Sequence, residues 1–150
     1  MFKNILIPVD GSEPSDHALR TAISLAKEVG ARLRLVHVVD NSAFVTGYDP
    51  SGGAGSQLYS ALRDSALQIL QQGTARAQAE GVQADHVLVD QVGVRLGEAV
   101  AQAATQFGAD LIVVGTHGRR GPSRLLLGSG AEHVIRVAPV PVLVTREPAR

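Results

Sequence analysis

Leu111-Ile112-Val113-Val114-Gly115-Thr116-His117-Gly118, rejoined after nine residues by Gly128-Ser129-Gly130-Ala131-Glu132, is the stretch on which the fold reading turns. Four apolar residues in a row, bounded by turn formers, suit a strand buried on both faces. The glycine loop after it leads into a helical pattern from about Gly130 to Val137. Working backward, Leu96, Ala99, Val100, Ala103 and Ala104 recur at helical spacing, and Gly108 ends that helix. Working forward, Pro141 to Thr145 is a last strand, followed by a polar tail over 146–150.

The same alternation runs upstream. Asn4 to Val9 is an apolar run ending at Asp10-Gly11. Ser12 or Ser15 then caps a helix reaching Val29, with Ala18, Ala22, Leu25, Ala26 and Val29 on one face and Gly30 as its stop. Arg32 to Val39 is a second strand. Residues 41–56, rich in glycine, read as a loop. A helix follows from about Gln57 to Ala79, with a stripe of Leu58, Leu62, Ala66, Ile69, Leu70 and Ala77. Gly73 is a weak point inside it, about 1 kcal/mol worse than Ala. Ala84 to Val89 is a third strand. Four βα units and a final strand predict a parallel sheet with helices on both faces and right-handed crossovers. Ligands bind such sheets beyond the carboxyl ends of the strands, where the strand order reverses.

Composition narrows the function. The 150 residues suit one domain over 1–150, and a chain this long buries roughly two thirds of its unfolded surface. Apolar residues are 45% and charged residues 19%, and the net charge is zero, so no broad field points to nucleic acid or an anionic membrane. With no cysteine there is no disulfide or thiolate chemistry. The N-terminal apolar run is too short for a signal peptide, and no run approaches the ~20 residues of a membrane span. A cytoplasmic protein is expected. His17, His37, His86, His117 and His133 form no zinc-binding spacing.

The loop carries the chemistry. Gly115 and Gly118 permit positive φ and close backbone approach after a strand, and exposed N–H groups there can form an anion nest. Gly128 allows approach from the other side. Ser129-x-x-Glu132 is a capping-box pattern, and the helix it opens aims its N–H groups and positive dipole end at an anion. Arg119, Arg120 and Arg124 share the loop, although arginine dominates the basic residues of the whole chain. Taken singly, the glycines read as a turn and the box as a cap. Their combination at the end of a buried strand is far more specific. Neither a P-loop nor a dinucleotide fingerprint is present.

Ile5-Leu6-Ile7-Pro8-Val9-Asp10-Gly11-Ser12, Val36-His37-Val38-Val39, Asp110-Leu111-Ile112-Val113-Val114-Gly115 and Pro139-Val140-Pro141-Val142-Leu143-Val144 occur in the order seen in the universal stress protein family. The Gly-x2-Gly-x9-Gly-Ser spacing resembles that family's ATP-binding subclass. The resemblance implies a five-stranded parallel sheet of order 3-2-1-4-5, an α/β Rossmann-like sandwich, ATP binding and a homodimer. By position it implies that Asp10 meets ribose or phosphate-linked groups. Pro8 and Val9 would wall the nucleoside pocket, Val38 would touch adenine, and Val114 and Gly115 would lie against the nucleoside. His117, Gly118, Gly128, Ser129, Gly130 and Ala131 would surround the phosphates. A divalent cation, Mg²⁺ or Mn²⁺, would be held mainly by phosphate oxygens. Two departures stand out: Gly130, where relatives often carry a β-branched residue, and the helix start Gly93-Val94-Arg95-Leu96-Gly97.

Alternatives stay open at several of these residues. Asp10 also reads as a turn or N-cap residue, His117 as solvent-exposed, and His37 as a hydrogen-bonded core residue. No catalytic residue is assigned and no Gly-x-Ser-x-Gly elbow is present. Weak ATP hydrolysis, giving ADP or AMP, or nucleotidyl transfer is the competing enzymatic reading. A dimeric interaction module with a vestigial site is the third. Pro139 and Pro141 suit an edge strand, and the resemblance implies that strand 141–145 pairs with its copy.

Overall fold

The computed structural model describes residues 1–39, 54–116 and 127–148, with side chains from residue 57 onward in the second of these segments. The elements are β1 (Asn4–Pro8), α1 (Glu13–Val29), β2 (Arg32–Val38), α2 (Ala54–Ala79), β3 (Ala84–Val89), α3 (Leu96–Phe107), β4 (Leu111–Gly115), α4 (Ser129–Val137) and β5 (Val142–Thr145). The sheet order is β3-β2-β1-β4-β5, and every pairing is parallel. Ile5 sits opposite Leu33 on one side and Leu111 on the other, while Ile112 pairs with Val142. The expected architecture and strand order are present.

Strand alternation sorts side chains to two cores. Ile5, Ile7, Leu33, Leu35, Leu111 and Val113 meet α1 and α2 through Leu19, Ala22, Ile23 and Leu70. Leu6, Val36, Ile112 and Val114 point the opposite way, onto Val100, Ala104 and Val134 of α3 and α4. Both faces of β1 and β4 are therefore covered, which is why their sequences are continuously apolar.

Local signals place most boundaries. Ser12 is the N-cap of α1, its side chain accepting from the Ser15 N–H at 3.3 Å, and Gly30 ends that helix in the left-handed region. Ser15 faces the other way, its Oγ accepting from the Asp10 N–H at 3.0 Å. α2 begins at Ala54, three residues before the expected Gln57, so the expected loop 41–56 overlaps its first turn. Ala66, Leu70 and Ala77 of its stripe are buried, but Leu58 is exposed. Leu19 and Ile23 belong to the buried face of α1, whereas Val29 is exposed. Ala18, Ala22 and Ala26 of the expected stripe are buried and Leu25 packs against the same core, so the expected face is right but omits the two largest side chains on it. Gly73 is no weak point. A Cβ there would lie 2.5 Å from Leu35 Cδ2 and 3.2 Å from Leu19 Cδ2, so the missing side chain lets α2 press onto the sheet.

Candidate functional site

The strand order reverses between β1 and β4, and sheets of this kind take ligands in the crevice at the carboxyl ends of those strands. On the β1 side, the Val9 N–H donates to Val36 O at 2.8 Å, and Val9 O accepts from His37 Nδ1 at 2.7 Å. A carbonyl only accepts, so Nδ1 of His37 carries the proton. The Val9 side chain is buried in the core beneath α1, and Pro8 is half-buried at the strand end. Asp10 Oδ1 accepts from the Ser12 N–H at 2.9 Å and the Ser12 hydroxyl at 2.5 Å. This Asx-type turn, with Gly11 at φ +82°, presents Asp10 half-exposed at the start of α1. The turn-residue reading of Asp10 is thus realised, and it leaves the residue at the crevice.

On the β4 side, Val114 is buried and accepts from Thr145 Oγ1 at 3.4 Å. Gly115 has no positive φ, contrary to one of its two expected uses. Its other use, close approach, holds: a Cβ would sit 2.7 Å from Pro14 O and 3.0 Å from Pro14 C. That contact brings the α1 start, with Asp10 and Ser12 just before it, against the end of β4. The chain leaves β4 at Thr116 and is back beside it at Gly128, whose N–H donates to Thr116 O at 2.6 Å.

The expected capping box does not form. Gly128 is the N-cap of α4, at φ −63° and ψ 151°, with no side-chain cap. Ser129 is the first helical residue, so its side chain lies one position too late to cap. Glu132 instead pairs with Arg136 Nη2 at 3.0 Å, one turn along the helix. Glu132 N–H donates to Gly128 O. The N–H groups of Ser129, Gly130 and Ala131 have no intrahelical acceptor, as in the first turn of any α-helix. They stand at the positive end of the α4 dipole beside Thr116. The Gly128 N–H is already used by Thr116. The structure therefore brings Asp10, Gly115, Gly128, Ser129, Gly130 and Ala131 to one edge. Val38 ends β2 one strand away, half-buried against the second core. His117, Gly118, Arg119, Arg120 and Arg124 lie outside the described residues.

Sequence reading missed Thr116 and Pro14, which tie the crevice together. Their only signal was position beside Gly115 and after Ser12. It also missed Asp90, at the end of β3. Its Oδ2 accepts from the Tyr59 hydroxyl and faces Arg63 Nε at 3.7 Å, while Oδ1 is buried with no hydrogen-bond partner among the described residues. The bond to Asp90 holds the Tyr59 hydroxyl above the usual phenol range. β3 is two strands from the switch point, so this cluster lies aside from the crevice. Among the described residues no three His, Asp or Glu side chains are grouped to hold a metal ion. No helix among them is long and apolar enough to cross a membrane.

A five-stranded parallel sheet of order β3-β2-β1-β4-β5 with helices on both faces defines a Rossmann-like α/β architecture. The chain belongs to the Universal stress protein family, whose profile matches residues 1–146. Universal stress protein MJ0531 of Methanocaldococcus jannaschii is 39% identical over 150 residues, spanning 100% of this chain and 85% of that protein. Among solved structures, that of the hypothetical protein MJ0577 superposes with a TM-score of 0.85 at 25% identity, covering 100% of this chain and 99% of the other. A universal stress protein solved in complex with cAMP superposes with a TM-score of 0.64 at 25% identity, covering 97% of both chains.

Proposed function

We propose that the protein is an ATP-binding universal stress protein, with a nucleotide-dependent role in stress response or signalling. The observation that carries this reading is the start of α4. Its first N–H groups have no intrahelical acceptor and are held beside the end of β4 by the Thr116–Gly128 hydrogen bond, at the same sheet edge as the Asp10 turn. Unpartnered N–H groups at a helix start suit phosphate. The acidic Asp10 suits sugar hydroxyls and not a second anion, which gives the crevice a polarity. Ribose and adenine would lie toward β1 and β2, against Pro8, Val9 and Val38, and the phosphates toward Gly128–Ala131. Val114 and Gly115 would line the floor between them, and His117 and Gly118 would complete the phosphate side. Mg²⁺ or Mn²⁺ would be held mainly by the phosphates. The cAMP complex of a relative supports an adenine nucleotide as the ligand class.

In this reading the protein is a cytoplasmic homodimer formed through 141–145. Support comes from β5, which is an edge strand whose Leu143 and Val144 are exposed. Apolar edges of this kind are aggregation-prone unless paired.

The test is to purify the protein, denature it, identify released nucleotide by mass spectrometry, and titrate the emptied protein with ATP and Mg²⁺ by calorimetry. The expected result is a bound adenine nucleotide. No binding at millimolar ATP overturns the proposal. Gly118→Val and Gly128→Val should both weaken binding. Gly128 has backbone angles open to any residue, so G128V meets no φ penalty, and a thermal melt of the variant separates lost ligand approach from lost folding. Turnover above an Asp10→Ala background would favour the enzymatic alternative.

A further inference from the structure

The α3 start has an unusual cap. Its N-cap is Arg95, which makes no capping hydrogen bond through its side chain. The second helical residue, Gly97, instead donates its N–H to His133 Nδ1, a residue of α4, at 3.0 Å. The ring lies flush on the backbone there: a Cβ on Gly97 would sit 2.5, 2.6 and 2.9 Å from three ring atoms. One turn earlier on α4, a Cβ on Gly130 would lie 2.8 Å from Leu96 Cδ2. The first turns of the two helices thus rest on each other at two adjacent points, each made possible by a glycine. The two departures noted in the sequence, Gly130 and the 93–97 segment, meet at this joint.

The hydrogen bond has a direction. Nδ1 accepts, so the ring is neutral with its proton on Nε2. A doubly protonated ring would set a donor against a donor. An apolar ring of the same size would leave the Gly97 N–H without its acceptor.

We infer that His133 is a positioning residue for the proposed nucleotide site. By accepting from Gly97 it sets where the first turn of α4 lies. It thereby aims the N–H groups of Ser129, Gly130 and Ala131, without touching the ligand itself. This inference rests on the nucleotide reading above. Neighbouring Leu96 acts with it by bracing Gly130, the middle one of those three donors.

The experiment compares three variants with the wild type. His133→Asn keeps an acceptor near the Nδ1 position, while His133→Phe keeps the bulk and removes the acceptor. His133→Leu is a smaller acceptor-free substitute in case the Phe variant does not fold. Each is titrated with Mg·ATP by calorimetry, and exchange of the Gly97 amide is followed by NMR. Losing one such hydrogen bond should weaken ATP binding about 3- to 10-fold in the acceptor-free variants. Gly97 exchange should be faster in them, and H133N should stay within about twofold of the wild type. Two results overturn the inference: acceptor-free variants that bind as the wild type does, or H133N failing as badly as they do. The wild-type titration is a separate arm. No ATP binding there overturns the nucleotide reading itself, whereas normal wild-type binding untouched by H133F overturns only the positioning role.

Discussion

Gly115→Ala isolates the contact that closes the crevice. The backbone of Gly115 is not in the left-handed region, so alanine meets no φ penalty there. Reduced freedom in the unfolded chain would by itself favour Ala by about 0.4–1 kcal/mol. Against this, the new Cβ would be 2.7 Å from Pro14 O and 3.0 Å from Pro14 C. Ordinary C···O contacts begin at about 3.3 Å, so the first of these is short by about 0.6 Å. The obstructing atoms are backbone in the first turn of α1 and cannot rotate aside. Either α1 or β4 must shift. Overpacking costs typically 1–3 kcal/mol, and a backbone obstacle belongs in the upper half of that range. The net loss is about 1–2.5 kcal/mol, or about 2–10 °C in Tm for a chain of this size. Urea denaturation with an unchanged m-value, and thermal melting by circular dichroism, measure it. Gly30→Ala is the control. There φ is +74° with nothing within 4 Å, so its loss comes from backbone conformation alone. A Gly115→Ala protein as stable as the wild type, or more so, refutes the packing argument.

Three further outcomes are expected. Gly73→Ala should leave stability unchanged or lower it by up to about 2 kcal/mol, because overpacking against the buried Leu35 offsets the roughly 1 kcal/mol of helix propensity; a more stable variant in urea would show that the core yields. Arg34 binds Asp85 through two hydrogen bonds of 2.7 and 2.8 Å, and these hold the Asp85 carboxyl below its ordinary range. A depressed folded value stabilises above the unfolded value of about 3.9 and is lost as pH falls through the folded value, so the pair's contribution, less than about 1 kcal/mol for a half-exposed carboxylate, should disappear below about pH 4. Asp85→Asn should lack that part of the acid slope, and identical slopes between pH 5 and 2 would count against it. Leu143→Glu should convert the proposed dimer to monomer in light scattering after gel filtration, since it sets like charges at a paired apolar edge; an unchanged mass would place the interface elsewhere.

Much of the fold was legible in the sequence because its signals are local. β1 and β4 are continuous apolar runs, as strands buried on both faces must be. Gly30 and Gly108 end their helices in the left-handed conformation that glycine tolerates best. Ser12 caps α1 because its hydroxyl needs only the N–H three residues on. The candidate site was legible as a spacing of glycines and as an acid at a strand end. The roles of individual residues were less so. Ser129 looked like a cap, but a one-residue offset made Gly128 the cap and turned Glu132 to Arg136. Gly73 looked like a weak point and is a place of close approach, whereas Gly115 makes the close approach expected of it without the positive φ.

The sequence by itself determined the alternation of elements, the two-faced burial of the central strands and the presence of a glycine-bounded loop. Each depends on residues a few positions apart, whose periodicity and backbone preference act before any distant contact forms. Only the tertiary structure decided which glycine serves packing, that Thr116 and Gly128 tie the crevice, and that His133 caps a helix it does not belong to. Those facts depend on pairs far apart along the chain, Pro14 with Gly115 and Gly97 with His133. Such pairs meet only once the sheet has brought their elements together.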